Sequence, residues 1–505
     1  MEGAPLPTGS EGSQRGGLNP NIFSREQFEN NFGASQEDLE KVAEYARSRG
    51  LQVSEMDAAR RWVIARGTAA QMQAAFGVQL NVYARGDEQW RGRKGQVHVP
   101  AELEGVIIGV FGLDNRKVGG RNVSAPAAIG NLSPADVARL YNFPAGVTGA
   151  GQTIGILEMG GGYRQSDVAD YFRSLGMAAP TLVDVSIDGA TNSPGDDGAD
   201  AEVLLDICVA GAVAPGAQIA VYFAPQSLQG WVDAITKAIH PGAGDPTPSV
   251  LSISWYVTNG DDADTLRAEG IPTAEIDEIS AAFQDAMLLG KQGPAIFVAS
   301  GDTGSDSKRG DGKAHVQYPA SDPWVTCCGG TAISNVSGNS FDETTWNDVW
   351  QGEPGATGGG VSYYFDPPAW QSGARVPVSA NGDGRRGRGI PDIAGNASPN
   401  SGYLMSLNGT QFPGAGTSAV APLYAGLGAL LNAALGGRTG FLNERLYALG
   451  AASRVFRDVN DGGTNALNGA PGYSSGAGWD ACTGWGSING TALLQALRAG
   501  AANSE

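Results

Sequence analysis

The feature that most constrains the fold is an alternation of short apolar runs and helical patterns between residues 153 and 328. The apolar runs are rich in Val, Ile and Ala and predict strands at 153–157, 218–223, 249–254, 295–299 and 324–328. Helical patterns separate most of them, at 166–175, 199–213, 228–239 and 274–289. Strands that are apolar almost throughout are typical of a parallel sheet covered by helices on both faces. The pattern therefore predicts an α/β domain.

The N-terminal part of the chain follows a different pattern. Residues 1–20 are rich in Gly, Ser and Pro and predict a disordered tail. Residues 20–118 predict a small α+β domain, with helices after Ser35 and at 69–76 and strands at 51–55, 62–66, 79–84 and 96–99. Residues 119–130 are aperiodic and rich in Gly and Ala, as expected of an exposed linker that proteases can cut. The α/β domain then occupies residues 131–497.

Charge is unevenly distributed along the chain. Residues 1–125 contain 15 basic and 15 acidic residues, so the remaining residues carry the whole formal net charge of −19. Such an acidic surface disfavours nucleic acid as a partner. It is compatible with an acidic medium, because the repulsion between carboxylates falls as they are protonated.

Targeting signals and cysteine chemistry are also constrained. No apolar run reaches the ~18 residues of a membrane span, so we expect no membrane partner. The first residues show neither the basic nor the apolar segment of a signal peptide. The four cysteines lack metal-ligand spacing, and the apolar patterns around them predict buried thiols.

A serine stands where a small-residue turn opens into a long apolar helix predicted from Ser418 to about residue 435. A hydroxyl held at a helix N-terminus is well placed to act as a nucleophile. Serine is also a favoured N-cap residue, because its side chain satisfies backbone N–H groups that lack partners. The motif alone leaves both roles open.

A serine nucleophile needs a base, and the histidines are few. The chain contains only His98, His240 and His315, none of them followed by Gly-Thr as in subtilisin-type enzymes. Carboxylates are the better candidates: Glu202 and Asp206 are spaced i, i+4 on one face of an almost wholly apolar helix. Burial and a like-charged neighbour raise a carboxyl pKa, so such a pair would share protons. A solvated acidic face explains Glu202 but not Asp206.

A third acid, Asp302, follows the predicted strand at 295–299. Ligands gather beyond the carboxyl ends of the strands in open α/β sheets, so this position suits an active-site residue. Taken alone, Asp302 is more typical of an Asx-turn residue that shapes the loop.

Six motifs occur in order along the α/β domain, and together they are far more specific than any one of them. They are EVLLD at 202–206, SISW at 252–255, SGDTG at 300–304, TGGGVS at 357–362, GAGTSAVAP around Ser418 and GAGWDACTG at 476–484. In these motifs the chain resembles the sedolisin family of serine-carboxyl peptidases, and within it the kumamolisin-like members. The N-terminal α+β unit resembles that family's inhibitory prodomain, which has a ferredoxin-like fold.

The resemblance implies a subtilisin-like catalytic domain with a parallel sheet covered by helices. It implies that Ser418 is the nucleophile, Glu202 the general base and Asp206 the acid that orients Glu202. Asp302 would line the oxyanion hole, where its protonated carboxyl could donate a hydrogen bond. The resemblance also implies a supporting network and substrate-binding positions, namely Glu158 and Trp255 for the network and Ser254, Gly358, Gly359 and Gly360 for substrate.

One structural Ca²⁺ ion is also implied by the resemblance. Its ligands would be Asp458, Val459, Gly476, Gly478 and Asp480. These loops contain the hard oxygen ligands that calcium prefers, although aspartates in Gly-rich loops are also common in plain turns.

We therefore predict the precursor of an acid-acting endopeptidase that hydrolyses protein or peptide substrates and activates itself by removing its prodomain at low pH. The prodomain would be its intramolecular inhibitor, and the enzyme would be a secreted or extracytoplasmic monomer. Two departures from the family stand out: a first strand before Ser24 is lacking, and Gln317 replaces an acidic residue near the substrate cleft. Two alternatives stay open: a catalytically silent, calcium-stabilised binding protein, and a histidine-dependent serine hydrolase using His240 or His315.

Overall fold

The computed structural model describes residues 23–86, 88–121, 132–450 and 453–502. The predicted tail at 1–20 and the linker from residue 122 to 130 lie outside the described residues.

The N-terminal unit consists of helices and two antiparallel hairpins. Its elements are α1 (Arg25–Phe32), α2 (Gln36–Ser48), β1 (Gln52–Asp57), β2 (Trp62–Arg66), α3 (Ala69–Phe76), β3 (Gln79–Arg85) and β4 (Glu88–Lys94). Ser35 caps α2 by accepting a hydrogen bond from the backbone of Asp38, as its sequence predicts. β1 pairs with β2 and β3 with β4, and in the described residues the two hairpins are separate two-stranded sheets. The expected strand at 96–99 is wrong, because β4 supplies the partner of β3 instead.

The C-terminal domain alternates helices and strands. Its helices are α4 (Pro134–Leu140), α5 (Gln165–Ser174), α6 (Asp197–Val213), α7 (Leu228–Ile239), α8 (Ala263–Glu269), α9 (Thr273–Leu288), α10 (Val420–Leu435), α11 (Asn443–Leu449) and α12 (Gly490–Ala502). Strand β5 (Gly120–Arg121) precedes this domain. The first strands of the domain are β6 (Thr153–Glu158), β7 (Thr181–Ser186), β8 (Gln218–Phe223), β9 (Val250–Ile253), β10 (Trp255–Tyr256), β11 (Ala295–Ala299), β12 (Thr326–Ser337) and β13 (Ser340–Thr345). The later strands are β14 (Asn347–Trp350), β15 (Glu353–Ala356), β16 (Gly360–Val361), β17 (Gly389–Ile390), β18 (Ile393–Asn396), β19 (Tyr403–Leu407), β20 (Thr410–Gly414), β21 (Phe456–Arg457) and β22 (Ser487–Ile488).

The central sheet has eight strands in the order β13-β12-β11-β9-β6-β8-β7, with β18 also paired to β12. Every pairing except β12 with β13 is parallel. Alternate residues of each strand point into two separate cores. One core contains residues of α5, α6 and α10, and the other contains residues of α7 and α9. The predicted parallel α/β sheet is confirmed.

Two helices, α6 and α10, are buried almost throughout and pack against each other. Gly426 makes their close approach possible, since a Cβ at this position would overlap Val213. In the described residues one stretch, Thr417–Leu435, is long and apolar enough to cross a membrane, but 83% of it is buried inside the protein. Its hydropathy is therefore that of a core helix. All four cysteines are buried and free, as their sequence context predicts.

The N-terminal unit is anchored on the C-terminal domain at the ends of α7 and α9. We call three of its anchoring side chains, Arg25, Arg60 and Arg61, the three-arginine clamp. Arg25 and Arg60 donate to the backbone carbonyls of Ile239 and His240 at the end of α7, at 2.8 Å each for their shortest bonds. Arg61 forms an ion pair with Asp285 of α9 at 2.8 Å. Cations are stabilised at helix C-termini, so the C-terminal ends of α7 and α9 favour the positive charges of the clamp.

Candidate active site

Ser418 lies in a short 3₁₀ helix, Thr417–Ala419, that leads directly into α10. The preceding Gly416 has φ +85°, which glycine adopts without strain, and it turns the chain from β20 toward the helix. No side chain caps either helix, so Ser418 is not the N-cap that its sequence allowed. Its side chain is fully buried and its Oγ has no hydrogen-bond partner. The hydroxyl is therefore free to react.

The two acids of α6 lie on the helix face that the i, i+4 spacing predicts, and both are fully buried. Asp206 accepts hydrogen bonds from Ser254 Oγ, at 2.9 Å for Oδ1 and 2.8 Å for Oδ2. The same Ser254 hydroxyl lies 3.3 Å from the backbone oxygen of Ser418, which links α6 to the serine turn. Neither carboxyl oxygen of Glu202 has a hydrogen-bond partner. The solvated acidic face considered from the sequence is thus wrong for both residues.

A further buried acid, Glu158, ends strand β6. Its Oε2 accepts a hydrogen bond of 2.8 Å from Trp255 Nε1. Trp255 follows Ser254 directly in the chain, so two consecutive residues contact two different buried carboxyls, those of Asp206 and Glu158. The structure thus brings Glu158 and Trp255 beside the α6 acids.

Burial raises the pKa of all three carboxyls, and their mutual repulsion adds to this effect. Burial is the largest influence on Glu202 and raises its pKa to about 8. The Ser418 hydroxyl lies close enough to lower that pKa, although it is not aligned for a hydrogen bond, and the charge of Asp302 raises it further. The hydrogen bond from Ser254 opposes burial at Asp206 in the same way. The three carboxyls therefore share protons rather than titrate independently.

Asp302 follows β11 and is buried against the serine turn. The backbone N–H and hydroxyl of Thr417 donate to its Oδ1, at 2.7 and 2.8 Å, while its Oδ2 has no partner. Burial raises the pKa of Asp302 to about 7, although Thr417 and the charge of Lys308 act to lower it. Below that pH the carboxyl holds a proton, and its free oxygen can donate a hydrogen bond.

Of the three glycines at 358–360, Gly358 is the one that contacts the loop containing Asp302. Gly358 N–H donates to Gly301 O at 2.7 Å, and a Cβ on Gly358 would overlap the Ser300 carbonyl. Gly359 instead packs against Ala481, and a Cβ on Gly360 would face Tyr473 and Val316. The run therefore fits closely against the loops around the site, and only Gly358 adjoins the Asp302 strand end.

The histidines are engaged elsewhere in the fold. His240 Nε2 lies 3.0 Å from Asp285 Oδ2, under the three-arginine clamp. His315 is held between Asp262 and Asp311, at 2.9 and 3.0 Å. His98 lies in the N-terminal unit, where its N–H donates to Phe76 O. Within the described residues, no hydrogen bond or ion pair joins a histidine to Ser418.

The acidic loops near the C-terminus approach each other around residues 476–478. Gly478 N–H donates to Asp458 Oδ2 and Gly476 N–H donates to Asp480 Oδ2, both at 2.9 Å. Burial raises the pKa of Asp480 to about 6. In the described part of the chain no group of three or more acidic, His or Cys side chains is arranged to hold a metal, so an ion here would need backbone carbonyls as well. Two carboxylates beside a Gly-rich loop fit such a donor set.

One feature of the site was not predicted from the sequence. Strand β5 (Gly120–Arg121), in the segment that follows the N-terminal unit, pairs antiparallel with Trp255–Tyr256 next to the buried carboxyls. Lys308 Nζ donates to the backbone carbonyl of Arg121 at 3.0 Å. These contacts join residues far apart in sequence, and no local pattern marks them.

Comparison with known proteins shows which family the chain resembles. Residues 19–116 match the family model "Pro-kumamolisin, activation domain". The chain is 43% identical to kumamolisin from Bacillus sp. (strain MN-32), over 96% of this chain and 87% of that protein. It is 33% identical to tripeptidyl-peptidase sed5 from Aspergillus fumigatus, over 93% of this chain and 87% of that protein.

A solved structure shows the same fold. Pseudomonas sedolisin, a serine-carboxyl proteinase complexed with two molecules of pseudo-iodotyrostatin, matches with a TM-score of 0.62 and 28% identity, over 74% of this chain and 99% of that chain. This confirms the predicted subtilisin-like α/β fold. Because the likeness to kumamolisin extends over nearly the whole chain, we conclude that the chain belongs to the sedolisin family of serine-carboxyl peptidases and carries that family's N-terminal activation domain.

Proposed function

We propose that this chain is the precursor of an acid-acting serine endopeptidase whose nucleophile is Ser418. One observation carries the proposal: the Ser418 hydroxyl, both carboxyl oxygens of Glu202 and one oxygen of Asp302 are buried without hydrogen-bond partners. Buried polar atoms without partners are uncommon and costly. Their concentration around a single serine is explained if a substrate supplies the missing partners.

Glu202 acts as the general base of the proposed reaction. Ser418 Oγ bonds to the carbonyl carbon of the substrate while its proton passes to Glu202. Glu202 then returns that proton to the leaving amine as the C–N bond breaks. In the second half of the reaction, water attacks the acyl carbon while its proton passes to Glu202. Glu202 then returns that proton to Ser418 Oγ as the ester bond breaks.

Asp206 positions Glu202 and shares its proton. Ser254 holds Asp206 through both carboxyl oxygens, and Trp255 holds Glu158 behind it. Because neighbouring buried carboxyls disfavour each other's charge, a proton gained by Glu202 relieves repulsion within the cluster.

Asp302 stabilises the oxyanion in this scheme. A protonated carboxyl can donate to the developing negative charge, whereas a carboxylate would repel it. Since the pKa of Asp302 is about 7, the donor is present in acid and is lost as the pH rises through neutrality. This sets an upper pH limit on the proposed activity.

The precursor state is supported by two contacts of the N-terminal part. We propose a prodomain at 20–118, a cleavable linker at 119–130 and a peptidase domain at 131–497. The linker begins with β5, which occupies the edge of the candidate cleft at Trp255. The three-arginine clamp holds the prodomain on α7 and α9 through two backbone carbonyls and the carboxylate of Asp285.

Endopeptidase activity is favoured over tripeptidyl exopeptidase activity by the path of the chain. Before β5, Gln226 binds both the N–H of Val118 and the carbonyl of Gly119, so the polypeptide continues past the docked strand in the N-terminal direction. A cleft that accepts such a continuous chain suits cleavage within proteins. The relative named tripeptidyl-peptidase makes exopeptidase activity the second candidate.

The proposal also assigns roles to residues outside the catalytic group. We propose that Gly358, Gly359, Gly360 and Ser254 shape the substrate site. Asp458 and Asp480, with the carbonyls of Val459, Gly476 and Gly478, would hold one Ca²⁺ that ties the loops together. An intact Ser418, Glu202, Asp206 and Asp302 argue against a silent binding protein. Secretion and a monomeric state stay predictions of the family resemblance.

The test is hydrolysis of a denatured protein and of peptides with free or acetylated N-termini, from pH 2 to 8. Activity in acid on acetylated peptides, absent from Ser418→Ala, supports the endopeptidase. Cleavage of free-amine peptides alone would support the tripeptidyl peptidase. Activity that survives in Ser418→Ala would contradict the proposed nucleophile.

A further inference from the structure

Lys308 contacts the docked strand beside the candidate active site. Its Nζ donates to the backbone carbonyl of Arg121 at 3.0 Å. Arg121 pairs with Trp255 in the two-residue sheet, so this carbonyl belongs to an extended chain lying along the cleft edge. A contact to a backbone carbonyl does not depend on the side chain of the bound residue.

The loop around Lys308 holds the ammonium group in place. Ser307 and Lys308 both have left-handed backbones, with φ +51° and +63°. Non-glycine residues rarely adopt this conformation, and it persists where surrounding contacts fix it. The buried Asp306 supplies such contacts by accepting from Gly310 N–H at 2.9 Å and from Asn468 Nδ2 at 3.1 Å.

The ammonium group also lies 5.1 Å from the ring centre of Tyr256, on the strand that pairs with Arg121. This cation–π contact helps to hold the ammonium group beside the docked chain. Asp302 follows strand β11, six residues before Lys308, and its carboxyl is close enough to feel the lysine's charge.

We propose that Lys308 is a substrate-positioning residue that donates a hydrogen bond to a backbone carbonyl of the bound peptide. The inference rests on the proposed function, because it takes β5 to occupy the track that a substrate would follow. Once the linker leaves, the same ammonium group is available to any extended peptide. It would bind substrates regardless of sequence.

The charge of Lys308 also acts on the candidate catalytic acids. The charged groups that face it are Asp302, Glu202 and Arg121, and its positive charge lowers the pKa of both acids. Removing the charge therefore raises both pKa values. Asp302 would keep its proton to higher pH, so the alkaline limit of activity would move upward.

The experiment compares Lys308→Met with Lys308→Arg, and with Lys313→Met as the matched control. Methionine keeps the length of the stem but removes the charge and the donor. Lys313 is an exposed lysine of the same loop, so its substitution removes an equal charge without touching the docked chain. Self-processed enzymes are assayed on peptides from pH 3 to 8.5.

We expect KM to rise at least about tenfold in Lys308→Met with a smaller change in kcat, because a charge-assisted hydrogen bond to bound substrate is lost. Arginine should restore most of the KM, and the alkaline limit should move upward only in Lys308→Met. An unchanged KM in Lys308→Met, or an equal rise in Lys313→Met, would overturn the proposal.

A second readout does not require activity. In precursors that also carry Ser418→Ala, hydrogen exchange of the Trp255–Tyr256 amides reports how firmly β5 is docked. Faster exchange with Lys308→Met than with Lys313→Met supports the proposal, and equal exchange contradicts it. Failure of the proposed function would show separately, as full activity of Ser418→Ala itself.

Discussion

Asp302 offers the sharpest test of the proposed mechanism. Replacing it with alanine removes the carboxyl whose unpaired oxygen we propose as the oxyanion donor. Loss of one such donor typically costs about 3 kcal/mol of transition-state stabilisation, which corresponds to a fall in kcat of roughly 150-fold. KM should change little, because the interaction strengthens only as charge develops. Two hydrogen bonds from Thr417 also lose their acceptor, so the free energy of unfolding should fall by about 1–3 kcal/mol.

Asparagine at the same position separates the catalytic loss from the structural one. Asp302→Asn keeps an acceptor for Thr417 and a donor that does not ionise. We therefore expect it to keep more activity than Asp302→Ala and to lose the decline that the wild type shows above about pH 7. The sign follows from the raised pKa, since the wild-type donor is present below that pH and disappears above it.

The assay is kcat and KM on one peptide from pH 3 to 8.5. Variants that cannot process themselves are first cut by a trace of tagged wild-type enzyme, which is then removed. The proposed role of Asp302 is refuted if the kcat of Asp302→Ala stays within tenfold of the wild-type value. It is equally refuted if Asp302→Asn declines above pH 7 as the wild type does.

Three further predictions concern the serine turn, the clamp and the calcium loops. Gly416→Ala should reduce kcat at least a hundredfold and lower the free energy of unfolding by about 1–3 kcal/mol, because φ is +85° and the new Cβ would overlap the Asp302 carboxyl. Enzyme kinetics and denaturant unfolding measure the two effects. Gly437→Ala is the control, because its Cβ would contact no other atom. Asp285→Asn should let the precursor process itself faster than the wild type, since the clamp loses the carboxylate that pairs with Arg61. Equal processing rates on a gel would contradict this. Chelation of Ca²⁺ should lower the unfolding midpoint by about 5 °C, and Asp480→Asn should abolish that response; a chelator without effect on the wild type would disprove the ion.

Much of the fold could be predicted because its buried elements have strong local patterns. The helices α6 and α10 and the strands β8 and β11 lie within two residues of their predicted bounds. Strand β7 was missed, since it is an edge strand with only Val185 fully buried and therefore lacks a continuous apolar run. The second strand of the hairpin β3–β4 was predicted at the wrong place for a related reason. Most residues of the hairpin are exposed, so the sequence shows no alternation of apolar and polar residues there.

The candidate site divides in the same way. The pairing of Glu202 with Asp206 was readable from the helix period, and the place of Asp302 from the end of its strand. Glu158 and Trp255 were named only through the family resemblance, because the hydrogen bond between them spans 97 residues. Lys308 carried no signal, since its partner is a backbone carbonyl. Long-range contacts of that kind depend on tertiary structure alone.

The three-arginine clamp has a consequence for what happens after the linker is cut. Cleavage removes the covalent tether, but the clamp still holds the prodomain on α7 and α9. While the tether is intact, the prodomain faces its site at an effective concentration that a short linker typically sets in the millimolar range. After the cut, release depends on the dissociation constant of the clamp and on dilution. A burst of activity should therefore lag behind the cut in concentrated samples and follow it at once in dilute ones.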